Sequence, residues 1–125
     1  MRELKTFIND KLLRVLENDK LFLSPTLSLE KLSVIVGTNT TYLSNYVNDY
    51  FGCNFRALIN RYRIKHAKNL LNKGTTSIYE IPLACGFASK SAFYAVFKKE
   101  VGTTPMSYMR EQKNIRNNKE EGGKK

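Results

Sequence analysis

The chain has no long apolar run, a single histidine and only two cysteines, and each shortage closes off a class of function. No stretch approaches the ~20 consecutive apolar residues that a membrane-spanning helix requires. The opening segment is interrupted by Lys5, Asn9, Asp10 and Lys11, so it does not read as a secretory leader. His66 has no cysteine or second histidine at ligand spacing, which leaves no set for a metal. Cys53 and Cys85 form no CxxC pair and read as reduced thiols of a cytosolic protein, Cys85 being a small core side chain. There is no Ser/His/Asp set, no phosphate-cradling glycine loop and no clustered carboxylate pair, so neither catalysis nor a cofactor is expected.

Acids are also scarce. Eleven Asp and Glu stand against 21 Lys and Arg in 125 residues, a formal net charge of +10. Solubility alone does not demand so one-sided a balance, and a polyanionic partner does. With no membrane segment in view, nucleic acid is the first choice.

What the sequence does contain is a repeat. Ser28-Leu-Glu-Lys-Leu-Ser-Val-Ile-Val-Gly37 aligns without a gap on Ser77-Ile-Tyr-Glu-Ile-Pro-Leu-Ala-Cys-Gly86. Each copy opens on a hydroxyl suited to cap a helix and closes on a glycine suited to a left-handed turn. Leu29, Leu32 and Val34 of the first copy match Ile78, Ile81 and Leu83 of the second. A second amphipathic segment follows each glycine. One runs from about Thr40 to Phe51 with Leu43, Val47 and Phe51 inward, the other from about Ser89 to Val101 with Phe93, Val96, Phe97 and Val101 inward. They end on Gly52 and Gly102, and the second copy carries one extra residue, in its turn or its helix start. The pattern is helix, glycine turn, helix, stated twice.

The remaining segments frame these two units. Leu4, Phe7, Ile8, Leu12, Val15 and Leu16 give an amphipathic first helix from Glu3 to about Lys20, and Leu21 and Leu23 form an apolar clasp before Pro25. Residues 54 to 72 contain no Pro or Gly. Phe55, Leu58, Ile59, Tyr62, Ala67, Leu70 and Leu71 predict one linking helix with a single apolar stripe, roughly 27 Å long at ~1.5 Å per residue. Pro105 opens a short last helix through Tyr108 and Met109. The expected architecture is all-α, with about seven helices. A double helix-turn-helix domain spans 1–111, its units at about 27–52 and 76–110, and a disordered polar tail follows over 112–125.

Charge placement sharpens the partner. No acid lies between Asp49 and Glu80, while Arg56, Arg61, Arg63, Lys65, Lys68 and Lys73 fall on or beside the linking helix. From Ile81 to Lys99 the charged residues are Lys90, Lys98 and Lys99. A one-signed stripe beside two helix-turn-helix units suits phosphate contact.

The segment Ile78-x-x-Ile81, then Gly86-Phe87, Phe93, Phe97-Lys98-Lys99 and Gly102-x-Thr104-Pro105-x-x-Tyr108-x-Arg110, resembles the second helix-turn-helix signature of AraC/XylS-type transcription regulators. Asn54-Phe55, Arg61-Tyr-Arg-Ile, Ala67 and Leu70-Leu71 resemble that family's linker helix, and Tyr42-Leu43-Ser44 fits its first unit. The resemblance covers roughly Leu21 to Arg110. It implies a cytoplasmic bacterial regulator whose two recognition helices enter successive major-groove segments of double-stranded DNA. It implies further that the domain is the output end of a longer protein, membrane-attached or not, whose effector-binding portion is absent here, with RNA polymerase as a further partner. Two departures stand out. Pro82 replaces the family's usual alanine and is expected to kink or shorten its helix; Asn45, Asn48 and Asp49 replace common basic residues in the first head.

Residues opposite the buried stripes are the candidate DNA contacts: Thr41, Ser44, Asn45 and Asn48 in the first unit, Lys90, Ser91, Tyr94 and Lys98 in the second. Asn pairs with adenine edges, Lys donates to guanine, and Thr or Tyr touches thymine methyls. Thr40 and Ser89 are expected to cap their helices and present backbone N–H groups to phosphate. Recognition helices joined by a ~27 Å linker are expected about one duplex turn, ~34 Å, apart. The alternative is a non-catalytic basic helical module that binds RNA or an acidic protein partner. The repeat weighs against it, because RNA loops demand no such fixed spacing.

Overall fold

The computed structural model describes the backbone over residues 2–123, and the side chains over the same span except at 2, 4 and 118–123. Among the described residues the secondary structure is helical throughout, with α1 (Arg2–Leu13), α2 (Leu29–Val36), α3 (Thr40–Phe51), α4 (Phe55–Lys73), α5 (Ile81–Ala84), α6 (Lys90–Val101) and α7 (Pro105–Gly123). One π turn, Arg14–Asn18, extends α1, and a 3-10 turn, Leu21–Leu23, follows it. The chain divides into two compact units, one ending at Arg63 and the other starting at Ile64.

The first unit closes around aliphatic side chains. Ile8, Leu12, Val15 and Leu16 from the first helix meet Phe22, Leu32, Val36, Leu43, Val47, Leu58 and Ile59. The clasp packs as expected, Leu21 and Leu23 lying half-buried against this core, while Phe22 between them is the deeper residue. Arg63 locks the clasp: its Nε donates to the Phe22 carbonyl at 2.7 Å and its Nη2 to the Ser24 carbonyl at 2.9 Å. Arg63 therefore works inside the fold rather than as a free phosphate contact, and burial lowers its pKa from the usual guanidinium value.

The second unit is aromatic. Phe93 packs edge-on to Phe87 with ring centroids 5.4 Å apart and lies 5.6 Å from Phe97, which in turn meets Tyr108 at 5.8 Å. Ile64, Ala67, Leu71, Ile81 and Cys85 complete that core. Each fully buried aromatic of this kind contributes roughly 1.5–3 kcal/mol through apolar burial.

The linking helix is continuous, as expected, but its apolar stripe is not single. Phe55, Leu58, Ile59 and Tyr62 pack in the first core, and Ile64, Ala67, Leu70 and Leu71 in the second. Phe7, Val34 and Leu83, all members of the apolar patterns, are 59%, 77% and 69% exposed. In the short helix α2 the buried positions are Leu32, Ser33 and Val36; in α5 they are Ile81 and Pro82, with Cys85 buried just beyond its end. Leu4, of the first helix's pattern, lies outside the described side chains.

The end of the chain differs from expectation as well. Helix α7 runs from Pro105 to Gly123, whereas a disordered tail was expected from residue 112. Glu111, Gln112, Lys113 and Arg116 are good helix formers with no breaker before Gly122, and the Arg116 Nη1 donates to the Asn72 carbonyl at 3.0 Å. Residues 124 and 125 of that expected tail lie outside the described residues.

Candidate nucleic-acid interface

The two turns that aim the recognition helices are built alike. Gly37 has φ +89° and Gly86 φ +91°, a region that L side chains rarely adopt. In the first unit the Gly37 and Thr38 N–H groups donate to the Ser33 carbonyl; in the second, Phe87 donates to the Pro82 carbonyl at 3.0 Å and Gly86 to Leu83. The carbonyls freed at the helix end are thereby satisfied, and the chain reverses sharply. The extra residue of the second copy falls in the turn. One residue, Thr38, separates Gly37 from the next cap, against two, Phe87 and Ala88, after Gly86.

Helices α3 and α6 are 12 residues each and correspond position for position. Asn39 caps α3, its Oδ1 accepting from the Tyr42 N–H at 2.8 Å. Thr40, expected as the cap, is the first helical residue instead: Asn outranks Thr as a cap, and the single-residue turn puts Asn39 in the extended conformation that capping needs. Ser89 does cap α6, accepting from the Ala92 N–H at 3.1 Å. The correspondence continues past the next glycines, where Asn54 caps α4 and Thr104 caps α7.

On α3 the side chains of Thr41, Asn45 and Asn48 are exposed, at i, i+4 and i+7 of one face, with Ser44 and Thr40 half-buried beside them. On α6, Ser89, Lys90, Ser91 and Lys98 are exposed and Tyr94 is half-buried. Where the first head has Asn48 and Asp49, the second has Lys98 and Lys99, so α6 carries cationic charge that α3 lacks. Of the cations expected on the linking helix, Arg56, Arg61, Lys65 and Lys73 are exposed, whereas the Lys68 ammonium lies 5.9 Å from the centre of the Tyr108 ring.

Two features went unread in the sequence. Tyr42, Tyr46 and Tyr50 recur every four residues along α3, and with Lys5, Asn45 and Asp49 they line an open cavity of about 370 Å³. Tyr46 and Tyr50 stack at 5.5 Å, and burial, then the neighbouring Tyr50, Tyr42 and Asp10, raises the Tyr46 pKa. The other feature is Tyr79, whose ring lies 5.5 Å from the Lys90 ammonium, with the Tyr94 ring at 5.7 Å. Pro82 brings it there. The proline ring bars helical backbone at Ile78, four residues before it, so α5 has four residues where α2 has eight. Residues 78–80 form a turn instead, in which Ser77 accepts from the N–H groups of Tyr79 and Glu80. The signal available in the sequence was the proline itself. Its effect is the expected shortening, without loss of the glycine turn that follows.

Two capped recognition helices, each behind a positive-φ glycine turn, define the double helix-turn-helix class of regulator domains. Comparison with known proteins gives the family. The helix-turn-helix domain family model matches residues 32–111. The chain is 32% identical over 112 residues to an uncharacterised helix-turn-helix-type transcriptional regulator of Staphylococcus aureus, a match covering 90% of this chain and 15% of that protein. An AraC-type transcriptional regulator structure from Chromobacterium violaceum superposes with a TM-score of 0.64 at 27% identity, over 69% of this chain and 77% of the other. The DNA-binding domain of the global transcriptional factor AdpA, solved with a target DNA, shares the fold with a TM-score of 0.77 at 19% identity, over 88% and 96%. The chain belongs to the AraC-type helix-turn-helix family. It spans about a seventh of the length of the staphylococcal relative.

Proposed function

We propose that this chain binds double-stranded DNA sequence-specifically to regulate transcription, with α3 and α6 as its two recognition helices. The observation that carries this reading is the repeated unit itself: a positive-φ glycine, a side-chain cap and a 12-residue helix with an exposed polar face. A module binding RNA loops or an acidic protein gains nothing from two such units, and the family makes duplex DNA the natural partner. Asn45 and Asn48 read base edges through their amides, with Thr41, Ser44 and Thr40 alongside. Lys90, Ser91, Tyr94 and Lys98 serve the second head, and Ser89 presents the N-terminus of α6 to phosphate. Binding is the whole task of this domain, with no catalysis, metal or cofactor.

The small share of the staphylococcal regulator that the match covers supports reading the domain as the output end of a longer regulator. Its further partners are then an effector-binding portion and RNA polymerase, and its place of work the cytoplasm. No helix among the described residues is long and apolar enough to cross a membrane. Footprinting the domain on the DNA upstream of its own coding region, repeated across salt, tests the proposal. Protection of a discrete site with a steep log–log salt slope is expected, because several exposed cations release counterions. Equal affinity for any duplex, or a flat slope, would overturn it.

A further inference from the structure

We propose that Tyr79, a residue outside both recognition helices, is a specificity-determining positioning residue of the second head: with Tyr94 it holds the Lys90 ammonium in one place for reading a guanine. The inference rests on the proposed duplex binding and adds to it a residue and the base it serves.

Three observations meet here. The Lys90 ammonium sits within cation–π range of two rings at once, 5.5 Å from the Tyr79 centroid and 5.7 Å from that of Tyr94. Lys90 is the first residue of α6, where a free lysine on its four-carbon stem would sample many rotamers. The two rings come from different elements. Tyr94 is one helical turn along α6, half-buried and edge-on to Phe93 at 5.6 Å, so its ring is anchored to the core. Tyr79 is 77% exposed and makes its approach from the turn that Pro82 imposes. An exposed aromatic in a turn carries no burden of core packing, so its contact with Lys90 is its main interaction on this surface.

The first head has none of this apparatus. Glu30 stands at the repeat position of Tyr79, inside the regular helix α2, and Thr40 at that of Lys90. Pro82 and the tyrosine it redirects therefore belong to the second head alone.

A ring face attracts the ammonium without consuming its N–H groups, because the quadrupole acts on the charge and takes no hydrogen bond in the usual sense. Lys90 thus keeps donors for an acceptor pair in the groove, and its position is set before DNA arrives. The major-groove edge of guanine, with O6 and N7 both accepting, is the base edge that such a group reads. Less rotamer entropy remains to be lost on binding, so preorganisation strengthens discrimination at that base pair above total affinity.

The test is site selection from a randomised duplex pool with the chain as wild type, Tyr79→Leu, Tyr79→Phe, Lys90→Ala and the Tyr79→Leu/Lys90→Ala double variant, with NMR of the free proteins alongside. Expected are a guanine preference that Lys90→Ala abolishes, a drop of about threefold to tenfold at the same base pair in Tyr79→Leu, and retention in Tyr79→Phe. The double variant should match Lys90→Ala alone, and ring-current shifts of the Lys90 side-chain protons should fall in Tyr79→Leu. Loss of preference at a different base pair, additive loss in the double variant, or an unchanged preference in Tyr79→Leu would each overturn the positioning role. If Lys90→Ala shifts no preference while the ring-current shifts are present, the duplex-reading assignment of Lys90 fails and the clamp stands only as a structural contact. If the shifts are absent from the wild type, the clamp itself is refuted.

Discussion

The two units solve one geometric problem with different chemistry. At matching positions of the recognition helices the first unit buries Leu43 and Val47 and the second Phe93 and Phe97. The same helices expose Asn45, Asn48 and Asp49 in the first unit and Ala95, Lys98 and Lys99 in the second. What stays constant is the frame: the glycine at positive φ, the cap, and the 12-residue length. Core identity and surface charge differ around it. The first head is equipped for base edges with amides and hydroxyls and carries little charge. The second carries Lys90, Lys98 and Lys99, which suit it, in the proposed duplex reading, to phosphate and guanine.

Truncating the cores gives the largest effects. Phe97→Ala should destabilise the second unit by about 3–5 kcal/mol and Leu43→Ala the first by about 2–5 kcal/mol, most of what a small domain has. Thermal unfolding followed by NMR checks which unit loses its tertiary signals. If each variant melts both units together, the division into two cores is wrong as a statement about stability.

Arg63→Ala should come next. It removes two charge-assisted hydrogen bonds, to the Phe22 and Ser24 carbonyls, for a loss of about 1.5–3 kcal/mol in the first unit. Arg61→Ala, on an exposed neighbour, should change stability by less than about 0.5 kcal/mol. Equal effects of the two variants in chemical denaturation would contradict the clasp.

Alkaline pH separates the units by chemistry. Burial pushes the Cys85 thiol from 9.0 up to about 12 in the second unit. In the first, burial and the Glu17 carboxylate push Tyr62 from 10.0 up to about 12. In each case the unfolded chain gives up its proton first, so the stability is present below the ordinary value and is lost as pH rises through the folded one. The second unit should begin to weaken above pH 9 and the first only above pH 10. Cys85→Val, which installs the residue of the matching position Val36, should remove the earlier loss, and stability measured from pH 8 to 11 checks it.

Much of this frame was legible because the signals are local. Gly37 and Gly86, the cap Ser89, the uninterrupted linking helix and the aromatic stripe of α6 each follow from residue type and short-range spacing. The failures have a shared cause in tertiary context. Val34 and Leu83 match between the copies yet lie exposed, because short helices offer too few turns for periodicity alone to fix a face; the cores bury Leu32 and Ile81 of that pattern. Arg63 looked like one more exposed cation until the fold brought the Phe22 and Ser24 carbonyls to it. The apolar residues of α4 read as one stripe because both halves are apolar, and only the fold assigns them to separate cores. The candidate contacts are the residues that the buried faces of α3 and α6 leave outside. Tyr79 escapes that pattern because it lies before α6 in sequence and beside Lys90 in space.

Selection of preferred sites from a randomised duplex pool with wild type, Asn45→Ala and Lys90→Ala tests the central claim most directly. Each good base contact is worth ~1–3 kcal/mol of discrimination. The two variants should therefore relax preference at two different places in one asymmetric site, with Lys90→Ala also costing more in total affinity. If neither variant shifts any base preference, the two heads do not read sequence and the account of the domain as a two-headed reader is wrong.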